Sequence, residues 1–251
     1  MDVSSLRYPL PVADRELISE FKVEKWKKTI SVVKAIAEDL EIVAKFFVEV
    51  QLAEMPFSKH LNFPFEENKD KFMAIIRDEV ESGRTLLALL DNHIVGFQGS
   101  TKEEVRPEDQ GVDEIPADYA ELAEKLYPQR PPDLQIFLTT LHEVERFAKH
   151  HIPVGPYIRI ARIGVQKEFG GQGIGLKLWT EALKLAKAEG LEWASAECAA
   201  VYSTKIANKL GMPTVFTLPF GKIIFHGKQP YPSVLEDGLT GLNLTVGRFI
   251  V

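Results

Sequence analysis

The chain has 251 residues, 45% of them hydrophobic and 26% charged, with a net charge of −6. That composition suits a globular protein with one sizeable core and excludes a long disordered tail, while an acidic balance without a dense Lys/Arg cluster argues against nucleic acid as a partner and mildly favours a cationic substrate. The single cysteine, Cys198, excludes an intrachain disulfide and a thiolate-rich metal site. No apolar run approaches the roughly 20 residues of a membrane span, and the first residues lack the regions of a signal peptide. The expected location is the cytoplasm, with no membrane partner.

Residues 1 to 24 show no clear periodicity and carry Pro9 and Pro11, which reads as a surface arm or docked extension. From Lys28 to Ile36, Ile30, Val32 and Ile36 alternate as in a strand. Leu40, Val43, Phe47 and Val50 then recur at helical spacing, and Pro56 ends or redirects that helix. A second helix is expected over 66–81, with Phe72, Ile75 and Ile76 as its buried stripe and Gly83 as its stop. Thr85 to Leu90 and His93 to Gly99 are β-prone runs separated by Asp91-Asn92, which is hairpin chemistry because both residues tolerate positive φ.

Residues 101 to 134 are charged and rich in proline, with one short helical pattern from Tyr119 to Leu126; they read as an insertion, followed by a helix over 134–149. Tyr157 to Val165 is a strand whose apolar face changes parity between Ile160 and Ile163, so a bulge or burial on both faces is expected there. Helix, strand, helix and strand follow over 173–189, 191–198, 200–210 and 213–225, and a last strand over 242–251.

The strongest chemical signal is Val165-Gln166-Lys167-Glu168-Phe169-Gly170-Gly171-Gln172-Gly173-Ile174-Gly175, between a strand and a helix. Its four glycines let the backbone turn sharply, and the unpaired amides at the helix start face outward to meet negative charge, so a pyrophosphate is the natural guest. A nucleotide-triphosphate loop would need Gly-Lys and then Ser or Thr, whereas Gly175 precedes Leu176-Lys177-Leu178. The dinucleotide spacing also fails, because the required sixth place is Leu176 or Leu178.

What remains resembles the GNAT superfamily of acetyl-CoA-dependent N-acetyltransferases, whose hallmark is Gln or Arg, two residues, Gly, one residue, then Gly or Ala, after a strand-ending Val. Gly173, Gly175 and Val165 fill those places; Gly170 stands where Gln or Arg is usual. The run from Ala196 to Met212 resembles the strand and helix that follow in this family. Within it, the chain is similar to the arylalkylamine N-acetyltransferases of insects and other invertebrates, over most of residues 28 to 225. The resemblance implies an α/β (α+β) GNAT fold: a central mixed, mostly antiparallel, twisted sheet, splayed after its fourth strand, with helices on both faces. The implied organisation is an arm over 1–24 and one domain over 25–251 with a helical insertion at about 101–150.

The resemblance further implies that acetyl-CoA binds at Ile163, Gly164, Val165, Gly170, Gly171, Gln172, Gly173, Ile174 and Gly175, with its pantetheine arm between the splayed strands. Deprotonation of the amine needs a base, and the family's glutamate in an acidic-Pro element maps to Glu54, although Met55 is inserted before Pro56; Glu49 is the alternative. The family's serine at the next helix start maps to Ser203, as a proton source for the leaving thiolate. A second family serine maps to Ala199 and a tyrosine to Ala207, so those contributions are lacking. Cys198, at an apolar strand end with no histidine nearby in sequence, reads as inert packing, and His142, His150 and His151 as surface residues with no metal. The implied activity is direct acetyl transfer to a small primary amine, an arylalkylamine such as dopamine, serotonin, octopamine or tyramine, by a monomeric enzyme. Transfer to a polyamine, agmatine or a protein lysine, and a module that binds acyl-CoA without turnover, remain open alternatives.

Overall fold

The computed structural model describes residues 6–59, 61, 63–109 and 114–251. Among these, eight strands form one sheet in the order β1-β2-β3-β4-β5-β6-β8-β7. They are β1 (Leu17–Val23), β2 (Lys28–Lys34), β3 (Thr85–Leu90), β4 (His93–Val105), β5 (Gly155–Val165), β6 (Trp193–Cys198), β7 (Thr214–Pro219) and β8 (Gly241–Arg248). Every neighbouring pair is antiparallel except β5 and β6. The helices are α1 (Leu40–Phe46), α2 (Phe65–Glu81), α3 (Ala120–Leu126), α4 (Pro132–Glu145), α5 (Ile174–Ala188) and α6 (Val201–Lys209).

The alternation of side chains along each strand divides the core between the two faces of the sheet. In β3, Leu87 packs with α1, α2 and α4 residues such as Phe46, Phe72 and Phe137. Its neighbours Leu86, Ala88 and Leu90 point the other way, onto Leu178, Trp179 and Leu183 of α5. A sheet covered on both sides needs strands that are apolar at every position, and β3, buried at five of its six positions, is such a strand.

Asp91 and Asn92 close the β3–β4 hairpin with φ of 48° and 60°, the paired left-handed conformations of a type I′ turn. The parity switch expected in β5 is a bulge: Gly99 faces Arg162 and Ser100 faces Ile160, leaving Ala161 as the extra residue.

Three expectations are corrected. Leu17–Val23 belongs to the sheet rather than to an arm, as an edge strand pairing with β2 across a bulge at Ile18; the bulge breaks the alternation that would have marked the strand. The insertion begins later than expected, because β4 runs on to Val105 against β5. Helix one reaches toward Pro56 as expected but is not regular, since the α-helical turns give way over Phe47–Leu52 to a wider π-helical turn before α-helix resumes at Ala53 and Glu54. The wider turn buries Phe47, Val48, Val50 and Leu52 together.

Candidate active site

The site begins with a sheet that comes apart. β5 and β6 are paired only at Ile158–Ala194 and Arg159–Ser195. Beyond Arg159, β5 stays on β4 and β6 stays on β8, so a gap opens between them. The Gln166 N–H donates to the Val95 carbonyl at 3.0 Å. By the two-residue period of an antiparallel ladder, Gly164 therefore bonds toward β4 and the amides of Ile163 and Val165 face the gap.

At the open end lies the glycine loop. Lys167–Phe169 forms one 3₁₀ turn, and Gly171 and Gly173 take φ of 72° and 79°, with Gly173 as the residue preceding α5. A Cβ at either position would meet nothing within 4 Å, so glycine is required there by the left-handed backbone and not by crowding. Among the described residues, none of the N–H groups from Gly171 to Gly175 donates to a backbone acceptor. Five free donors at the positive end of a 15-residue helix make a cradle for a diphosphate.

Loop and gap open into one cavity of about 970 Å³. Its floor is β5, with Trp179, 1% exposed, beneath. Its walls are mainly apolar: Phe47 and Val50 from the π-helical turn, Ile75 from α2, and Leu134, Phe137, Leu138 and Leu141 from α4. Glu54, Ser203, Ile163, Gly164, Val165, Gly170, Gly171, Gly173, Ile174 and Gly175 all border this space; Gln172 does not, and its side-chain amide donates to the Gly170 carbonyl at 3.3 Å.

Glu54 is exposed at the rim. Glu49 is turned away from the cavity, accepting a bond from the Tyr8 hydroxyl at 3.0 Å. Ser203, in the first turn of α6, donates its hydroxyl to the Ala200 carbonyl at 2.9 Å. Cys198 is buried, and burial pushes its thiol up to about 11, against the opposing hydrogen bonds from Thr245 and Ser203. Such a thiol stays protonated near neutrality and is no nucleophile. Among the described residues no group of three His, Cys, Asp or Glu side chains is placed to hold a metal. His142 borders the cavity rather than the surface, and its burial lowers its proton affinity.

The residues that sequence reasoning missed lie deepest. The Arg159 guanidinium donates to both oxygens of Glu197, through Nε at 3.1 and 3.3 Å and Nη2 at 2.9 Å. The same Nη2 stands 3.0 Å from Glu145. All three side chains border the cavity. Burial drives the Glu145 carboxyl up to about 7, with Arg159 opposing and Glu197 and Glu103 adding to the rise. Burial works against charge on Arg159 as well, but the two facing carboxylates outweigh it and raise its proton affinity. A neighbouring pair, Arg162 and Glu79, sits with the guanidinium 5.3 Å from the centre of the Phe47 ring. A signal was available: two arginines inside an otherwise apolar strand require buried acids somewhere in the fold.

The acetyltransferase (GNAT) family model matches residues 49–212. The chain belongs to the GNAT acetyltransferase family. As such it is an N-acyltransferase, and its open, mostly antiparallel sheet with helices on both faces is the GNAT fold. No curated protein sequence matches it. Among solved structures it is similar to arylalkylamine N-acetyltransferase 2 from Aedes aegypti, at 16% identity and a TM-score of 0.69, covering 87% of this chain and 98% of that one. It is similar too to a mosquito arylalkylamine N-acetyltransferase-like 5b, at 16% identity and 0.67, covering 88% and 100%. A third is a Drosophila melanogaster polyamine N-acetyltransferase that forms N-acetylagmatine, at 17% identity and 0.64, covering 88% and 99%. At these identities the likeness concerns the fold.

Proposed function

We propose that this GNAT enzyme transfers the acetyl group of acetyl-CoA directly to a small primary amine with an apolar or aryl body. The observation that carries the reading is the continuity of the site: a cradle of free amides, a gap in the sheet with further free amides, and an apolar cavity at its end. The donors of Gly171 to Gly175 suit the diphosphate of coenzyme A. The amides of Ile163 and Val165 suit its pantetheine arm, which would lie in the gap as a strand does. Backbone N–H groups of β5 are also the available donors for the oxyanion of the tetrahedral intermediate.

The cavity walls support the choice of amine. Phe47, Phe137 and the aliphatic face of α4 line it, and the inner carboxylates Glu145 and Glu197 share the one guanidinium of Arg159, a balance that suits one ammonium and not several. Such a pocket fits an arylalkylamine better than a polycation. Glu54, the acid offered by the sequence, stands exposed at the rim, where it meets the incoming amine. Ser203 borders the same cavity and is the residue we assign as proton donor to the departing sulfur.

The test is release of free coenzyme A thiol from acetyl-CoA with dopamine, serotonin, octopamine, tyramine, agmatine and spermidine in turn. Higher kcat/KM for the aromatic amines is the expected result. Preference for agmatine or spermidine moves the substrate class to polyamines. Thermal stabilisation by acetyl-CoA with no turnover on any amine overturns the transfer reading in favour of a binding module.

A further inference from the structure

We infer that Glu145 accepts the proton of the substrate ammonium and that Arg159 is the residue that positions it; this rests on the acetyl-transfer reading. Arg159 is the last residue of β5 still paired with β6, and Glu197 lies two residues past its partner Ser195. The two side chains therefore mark the apex of the gap. Glu145, the last residue of α4, reaches the same point from above. A chain entering between the strands from the glycine loop heads for this apex, at the end of the amine cavity.

The charges there are unequally shared. Arg159 binds Glu197 through three contacts and Glu145 through one. Glu197 is 2% exposed and Glu145 27%. Glu145 is thus the less compensated and the more exposed of the two acids. Two carboxylates around one guanidinium leave one negative charge, which an ammonium neutralises. The groups facing Glu145 are Glu103 from β4, Tyr157 and Arg159 from β5, Glu197 from β6 and Tyr127 beyond α3; His142, on the same helix, borders the same cavity, and Arg146 is taken by Glu143 at 2.7 Å. In this setting the carboxyl titrates at about 7, close to the pH at which it must exchange a proton with an amine.

In the step so assigned, the ammonium N–H proton passes to Glu145 and frees the nitrogen lone pair. The lone pair attacks the thioester carbonyl, the C–N bond forms and the C–S bond breaks. The second nitrogen proton goes to the departing sulfur, and Glu145 returns its own proton to solvent, so atoms and charge balance.

The test compares wild type, Glu145→Gln and Glu54→Ala across pH 6 to 9, using whichever amine the wild type turns over best, with acetyl-CoA affinity measured in parallel. Glu145→Gln should lose roughly 10²- to 10⁴-fold in kcat/KM and lose the rising limb near neutrality while acetyl-CoA affinity stays unchanged. Glu54→Ala should keep the limb and raise KM for the amine. A Glu145→Gln enzyme that keeps both its rate and its limb overturns the assignment to Glu145. A wild type inert towards every amine overturns the transfer reading itself. If the Gln variant fails to bind acetyl-CoA, the Glu145→Asp profile decides: a displaced limb supports the assignment, and a profile superimposable on wild type overturns it.

Discussion

Ser203 gives its hydroxyl to the Ala200 carbonyl at 2.9 Å, a bond that ties the start of α6 to the turn before it. The same hydroxyl borders the cavity, so protonating a leaving thiolate there means exchanging one partner for another. Ser203→Ala should lower kcat about 10-fold, with little change in amine KM, because the lost bond is one made in the transition state; steady-state kinetics with saturating acetyl-CoA check this. At this scale the sequence showed what is local. The glycines, Val165 and Ser203 lie in contiguous runs whose spacing carries the chemistry. The Glu145–Arg159–Glu197 cluster joins residues 14 and 38 positions apart, and only the folded chain brings them together.

Elements decide where those residues stand. Phe97 of β4 touches Phe46 and Phe47 edge-on, with ring centroids 5.7 and 6.3 Å away, and so seats the π-helical turn that carries the cavity wall. A ring that is 1% exposed leaves a void when removed. Phe97→Ala should cost about 3–5 kcal/mol of stability and raise amine KM as the wall loosens; urea unfolding and kinetics on the surviving fold measure the two. The helices and the hairpin were readable because period and turn chemistry agree over several residues. The π-helical turn was not, since a wider turn leaves the apolar composition of a helix intact and alters only its phase. The edge strand β1 escaped for the same kind of reason, one bulged residue shifting its alternation out of step.

Over the whole molecule, titration and turnover meet in the same carboxyl. The Glu145 proton affinity is raised on folding, so the folded chain holds a proton that the unfolded chain gives up at ordinary carboxylate pH. That contribution to stability is complete at low pH and is lost as pH climbs from about 4.5 to about 7. Relative to Glu145→Gln, the unliganded wild type should therefore lose melting temperature across that window, by differential scanning fluorimetry at constant ionic strength. The GNAT architecture itself was readable from one loop and its flanking elements, because the splayed strands follow from the same strand–loop–helix passage.

The two-pair contact between β5 and β6 has a mechanical meaning. It is a seam down the middle of the sheet, dividing five strands on one side from three on the other, with helix packing left to hold the halves. A pantetheine arm lying in the seam would stitch it, borrowing hydrogen bonds the polypeptide does not supply. Hydrogen exchange should register this directly: the amides of Ile163 and Val165 exchange freely in the unliganded protein and slow on addition of acetyl-CoA, and strand ends on both margins of the seam gain protection together. On this view the donor substrate is for the time of its visit a ninth strand, and each turnover unpicks and resews the fold.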